Sequence, residues 1–184
     1  MKTILKTGFI LFAICALSAG LCGIVNSITA PRIAINEENT KMLSMQSVAS
    51  GYEMGSEIDS MDEDILSVIP LYENGEEKGY ILEIITSGYG GEMTVIASFY
   101  TDGELIKAEL GTNSETPGLG KKAENESYMM MFRGLGGSSP LPSSKSNLSA
   151  ENQEVVSGAS ITFNGISEAL RNGSEYVKSL GGGV

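Results

Sequence analysis

The stretch EMTVIASFYTDGELIKAELG, residues 92–111, decides what kind of domain this chain builds. Met93, Val95, Ala97 and Phe99 are apolar at every second position, so the segment reads as a strand with one buried face. Thr101-Asp102-Gly103 then interrupts it, and a second apolar run follows. An Asp-Gly pair between two strand patterns predicts a β-hairpin. Working outward, Ile65–Leu71 and Gly79–Thr86 are also rich in β-branched residues, and Glu92–Tyr100 and Glu104–Gly111 complete a set of four strands. The joints Glu73-Asn74-Gly75 and Gly88-Tyr89-Gly90-Gly91 carry the residues that tight turns require. Consecutive short strands joined this way predict an antiparallel meander. Beyond them a short helix is expected over Ala123–Phe132, a Gly-, Ser- and Pro-rich loop over Gly134–Ser149, and a last helix over Thr162–Leu180. Ile166, Leu170, Tyr176, Val177 and Leu180 share one side of that last helix, and the Gly-Gly-Gly-Val end is expected to fray. The fold class is therefore α+β.

The other end of the chain is apolar. No charged residue stands between Lys6 and Arg32, and Gly8–Val25 reads GFILFAICALSAGLCGIV. A helix needs about 20 apolar residues to cross a hydrocarbon core of about 30 Å, and residues 7–28 meet that length. The run continues through Leu21, Ile24 and Val25, past the passable cleavage site at Ala16-Leu17-Ser18, so it reads as an anchor, not a removed signal peptide. Lys2 and Lys6 lie before the span and Arg32 and Lys41 after it, which leaves its orientation open. Pro31 is expected to stop or kink the helix. Cys15 and Cys22 fall inside the span and read as small apolar packing residues. Three parts are expected: residues 1–30 as tip and membrane helix, 31–64 as a juxtamembrane helix and acidic loop, and 65–184 as the domain proper.

Composition excludes several functions. The 184 residues hold 12 Lys+Arg against 23 Asp+Glu, a net charge of -11, with no histidine and two cysteines. Triads and metal sites that depend on histidine are out of reach, and a chain this acidic is not built for nucleic acid. No metal ligand set is predicted: Asp59, Asp62, Glu63 and Asp64 lack calcium-loop spacing, and Met129–Met131 read as core beside Phe132. Gly118-Leu119-Gly120-Lys121-Lys122-Ala123 matches a dinucleotide fingerprint, but no strand leads directly into it, so the match is set aside. Glu154 to Thr162, EVVSGASIT, is more informative. It places hydroxyls at Ser157, Ser160 and Thr162 around Gly158-Ala159, just before the last helix. Small residues allow close approach of a ligand, and N–H groups at a helix start can hold a phosphate. An ordinary helix cap by Ser160 or Thr162 accounts for the same residues.

These residues also carry a resemblance. Ser157-Gly158-Ala159-Ser160, with the acidic Glu154 six residues before Ser160, resembles the flavinylation signature of the FMN-binding domain family. That family includes the G component of the Rnf electron-transport complex and the C component of the Na⁺-translocating NADH:quinone reductase. Asp and Thr are usual where this chain has Glu154 and Ser160. Ile28-Thr29-Ala30-Pro31-Arg32-Ile33-Ala34 resembles the exit of the membrane helix in the Rnf G component. Glu115-Thr116-Pro117-Gly118-Leu119-Gly120 resembles the family's central loop, and the Gly-Tyr-Gly-Gly turn at 88–91 fits as well.

The resemblance implies a single-pass protein of the cytoplasmic membrane, N-terminus inside and domain outside. It implies FMN joined through its phosphate to Ser160 by a separate FAD-dependent, Mg²⁺-requiring flavin transferase. Ser157, Gly158, Ala159, Thr162 and Glu154 would surround the attachment point. Glu115, Thr116, Gly118 and Leu119 would line the ribityl or ring region, with Tyr89 and Gly90 near. Other membrane subunits of an Rnf-type complex are the expected partners, and electron relay is the expected role, with no catalytic residue of the chain's own. Two alternatives are a cofactor-free anchored binding or assembly module and an FMN-domain subunit of another membrane electron chain.

Overall fold

The computed structural model describes residues 2–181, so Met1 and the last three residues of the Gly-Gly-Gly-Val end lie outside it. Two compact units divide between Thr40 and Lys41. In the first, helix α1 (Lys2–Val48) begins; it continues into the second. The stretch Ile4–Val48 contains a window long and apolar enough to cross a membrane, and that window buries nothing within the protein. Phe9, Phe12, Leu17 and Leu21 each expose more than half of their surface. The expectation that Pro31 ends or kinks the helix is corrected in one respect: α1 runs through it without a break. A proline removes the bond to the carbonyl four residues back and its ring crowds that carbonyl, a local cost that a long helix on both sides absorbs. No further breaker stands between residues 32 and 48, and Thr29 Oγ1 donates to the Val25 carbonyl at 3.0 Å, adding a local tie one turn earlier.

The second compact unit begins at Lys41. Its frame is a sheet of five antiparallel strands in sequence order: β1 (Glu53–Met54), β2 (Ile65–Glu73), β3 (Glu76–Gly88), β4 (Gly91–Tyr100) and β5 (Leu105–Leu110). The four expected strands are present. The two-residue β1 is an addition from the acidic segment, too short to show any alternation. Asn74 and Gly75, both at positive φ, form the two-residue turn between the paired residues Glu73 and Glu76, the geometry that matches the twist of the strands.

Alternation along the strands separates two apolar layers. Leu82, Ile84, Val95, Ala97 and Phe99 face one side, where Phe163, Ile166, Leu170 and Val177 of helix α4 (Ser160–Gly181) cover them. Ile81, Ile96, Ile106 and Leu71 face the other, covered by Met45, Val48 and Ala49 at the end of α1. Polar contacts fix that end: Ser98 Oγ donates to the Val48 carbonyl at 2.6 Å, and Lys41 pairs with Glu83 at 2.5 Å. The expected helix over 123–132 is broken into 3₁₀ turns around a short α2 (Glu126–Met129), and an unexpected α3 (Ala150–Val155) precedes α4.

Two glycines bring α4 close to the sheet. A Cβ on Gly165 would stand 2.2 Å from the Ser87 carbonyl oxygen, and one on Gly173 would stand 2.6 Å from Ile84 Cδ1. A helical Gly→Ala change normally stabilises by about 0.5–1 kcal/mol. At Gly165 the sign reverses, because the obstacle is backbone. We expect Gly165→Ala to lower the stability of the domain by about 1–3 kcal/mol, measured as a reduced urea midpoint at unchanged m-value. A raised midpoint would show that α4 does not lie this close.

Candidate functional site

Segments distant in sequence meet at one end of α4. The first is the β3–β4 turn, where Tyr89 is 70% exposed and its neighbour Gly90 approaches the Ser114 backbone so closely that a Cβ would stand 2.1 Å from its oxygen. The second is the loop 115–120. Leu119 N–H donates to the Thr116 carbonyl at 3.1 Å across Pro117-Gly118, and Gly118 has φ +77. Proline at the second position and a left-handed glycine at the third define a type II turn, which is why Thr-Pro-Gly-Leu takes this shape. The third is the turn between α3 and α4. Gly158 has φ +82 there, and a Cβ would meet Leu119 Cδ2 at 3.0 Å.

Together they enclose a cavity of about 520 Å³, within the size range of cofactor sites. Tyr89, Thr116 and Leu119 line it from one side. Gly158, Ala159, Ser160 and Thr162 line it from the other, with Glu115 between. The remaining predicted residues sit apart from its lining. Gly118 shapes the turn, and Gly90 contributes through its backbone. Glu154 and Ser157 are exposed on α3 and the turn after it. The structure adds Gly120 and Ile161 to the lining. Gly120 stood inside the loop motif. Ile161 carried no sequence signal, because an apolar residue beside the first turn of a helix normally belongs to a core.

Glu115 joins the pieces. It is 3% exposed. Its Oε1 accepts from Gly90 N–H at 3.0 Å, and its Oε2 accepts from the Thr162 hydroxyl at 2.7 Å. A Cβ on Gly88 or on Gly120 would come within 2.1 Å or 2.0 Å of the same carboxylate, so both positions must remain glycine for Glu115 to fit. Nearby, Tyr128 is buried and its hydroxyl has no hydrogen-bond partner among the described residues. Burial first, and the Glu115 charge second, push its phenol above the ordinary value, so it stays protonated.

The two hydroxyls proposed by the sequence differ sharply. Thr162 is 1% exposed and committed to Glu115. Ser160 is exposed and its hydroxyl makes no hydrogen bond among the described residues. The backbone N–H of Phe163 donates to the Ala159 carbonyl at 3.0 Å, so the N–H groups of Ser160, Ile161 and Thr162 precede the first α4 bond. A phosphate fits there: free donors, the positive end of a 22-residue helix and small neighbours. The apolar walls of Leu119, Ile161 and Tyr89 suit a flat ring system.

Comparison with known proteins agrees with this reading of the chain's architecture. A model of the FMN-binding domain matches residues 88–175, and a model of the RnfG N-terminal region matches residues 1–48. The G component of the Na⁺-translocating ferredoxin:NAD⁺ oxidoreductase complex of Acetobacterium woodii is 28% identical over 97% of this chain and 94% of its own length. The G component of the ion-translocating oxidoreductase complex of Vibrio parahaemolyticus is 25% identical over 96% of this chain and 90% of its own. That of Methanosarcina acetivorans is 24% identical over 98% of each. The two matched regions carry the apolar helix and the whole lining of the cavity, and the chain joins an RnfG N-terminal region to an FMN-binding domain, with similarity over nearly its full length to G components of ion-translocating oxidoreductase complexes.

Proposed function

We propose that this chain is the flavin-carrying subunit of an ion-translocating ferredoxin:NAD oxidoreductase, and that Ser160 bears FMN through a phosphoester. The observation that carries the attachment site is the exposed, unpartnered Ser160 hydroxyl at the start of α4, opening onto the cavity lined by Tyr89, Thr116 and Leu119. Ser160 needs no activating base of its own if a transferase supplies it. In that step Ser160 Oγ bonds to the flavin-side phosphorus of FAD and the pyrophosphate bond breaks. AMP leaves, and the serine proton passes to the transferase.

The residues then have distinct tasks. The N–H groups of Ser160, Ile161 and Thr162 face the phosphate. Leu119, Ile161 and Tyr89 shield the ring from water. Thr116 and Glu115 border the region between them. When bound, FMN supplies one- and two-electron transfer, which makes the subunit a relay between other centres of the complex. Residues 7–28 anchor the chain with its N-terminus cytoplasmic and its domain outside. That segment has no ionisable side chain between Lys6 and Arg32 other than the two cysteine thiols, so the ion path belongs to partner subunits.

The test is the intact mass of the chain after incubation with FAD, Mg²⁺ and a flavin transferase. The expected gain is one FMN less one water, together with a visible absorption band that bleaches on reduction. An unchanged mass, with a competent control substrate in the same tube, would replace this reading with a cofactor-free anchored module.

A further inference from the structure

The cavity's charges do not match those of free FMN. A phosphomonoester carries a charge of about -1.5 to -2 near neutrality, whereas a phosphate esterified to serine as well carries one negative charge. Sites that hold a free phosphate dianion usually present lysine or arginine. Here no lysine or arginine lines the cavity. Lys121, beside the 115–120 loop, is committed to Glu124 at 2.9 Å, and its hydrogen bond holds that carboxyl below the usual carboxylate range.

The cavity wall instead holds a carboxylate. Glu115 is buried, has no ion-pair partner among the described residues, and accepts its two hydrogen bonds from neutral donors. One of these donors, Thr162, lies in the first turn of α4, so the carboxylate already occupies part of the favourable potential at that helix start. It fills the space that side chains at Gly88 and Gly120 would need, and its two hydrogen bonds hold it there. A second, dianionic group at the same helix start would be repelled by a fixed charge in a poorly screened place.

We propose that Glu115 is a specificity residue that selects against the phosphate dianion of free FMN, so that the cavity accepts the flavin only with its phosphate esterified. The inference rests on the reading of the cavity as a flavin site. It gives the covalent bond a physical purpose: attachment removes one charge from the phosphate and supplies the retention that the cavity's own electrostatics deny.

The test uses the full chain carrying Ser160→Ala, which cannot be loaded. Three probes are titrated by flavin fluorescence: riboflavin, FMN, and FMN methylated on its phosphate, a monoanionic diester. We expect the diester to bind more tightly than FMN by roughly tenfold, the scale of one extra charge near a buried carboxylate. Adding Glu115→Gln should close that gap when the FMN and diester affinities are each taken relative to riboflavin in the same variant, so that any change in cavity shape from the altered hydrogen bonds to Gly90 and Thr162 divides out. The diester-to-FMN comparison in the Glu115 background stands whether or not the glutamine variant folds. FMN binding as tightly as the diester would overturn the proposal, as would a gap that persists in Glu115→Gln. Loss of all flavin binding, with Ser160 in the unmutated chain still loading, would also overturn it, since retention would then owe nothing to charge. No binding and no loading together would instead remove the flavin reading itself.

Discussion

Ser160→Ala leaves the chain at its unmodified mass after incubation with FAD, Mg²⁺ and a flavin transferase, while the unmutated chain gains one FMN less one water. The effect is all-or-none, because the variant lacks the oxygen that forms the ester. Thr162, two residues on, does not substitute for it. Its hydroxyl is 1% exposed and donates to Glu115 at 2.7 Å. Reaching a transferase would require breaking that bond and unwinding the first turn of α4. Ser160→Thr, which restores a hydroxyl at the same exposed position, should load again. Thr162→Ala should keep the gain in mass, although it leaves Glu115 with one hydrogen bond fewer. Mass spectrometry of the four proteins decides the matter. A gain that survives in Ser160→Ala and disappears in Thr162→Ala would move the attachment site.

Phe163→Ala should give the largest loss of stability. Phe163 is fully buried and lies stacked on Phe132, with ring centroids 5.7 Å apart and 18° between planes. It joins α4 to the segment 126–132 and sits one residue beyond Thr162. Truncating a buried phenylalanine costs about 3–5 kcal/mol, a large share of the total stability of an ordinary domain. The melting temperature of the domain should fall by roughly 10–20 °C. Calorimetry or circular dichroism on the unloaded chain measures it. A cost below about 1 kcal/mol would mean that the two rings are not packed against each other.

Much of this is legible in the residues themselves. The strands from Ile65 to Leu110 announce themselves by alternation and by the Asn-Gly, Gly-Tyr-Gly-Gly and Asp-Gly turns between them. These are local signals, set by which residues tolerate positive φ and which prefer an extended backbone. Thr116-Pro117-Gly118-Leu119 contains its own type II turn for the same reason. By residue chemistry alone Ser160 and Thr162 are equivalent hydroxyls near a helix start, and only the motif resemblance points to Ser160. Their burial separates them. The helix passes through Pro31 against a rule about one residue, because the outcome depends on the fifteen or so helix-compatible residues after it.

What the sequence determined alone was the four long strands, the last helix and the apolar anchor, since backbone preference and hydrophobic run length are properties of neighbouring residues. What only the tertiary structure decided was which of them meet. Met45, Val48 and Ala49 belong to the domain because they cover Ile81 and Ile96 on the second face of the sheet, a face that no local pattern assigns to a partner. Glu115 lies between Gly90 and Thr162 because the register of β3 and β4 carries the Tyr89 turn to the start of α4. Contacts of that sequence separation follow from how whole elements pack, and the chemistry of the cavity depends on them.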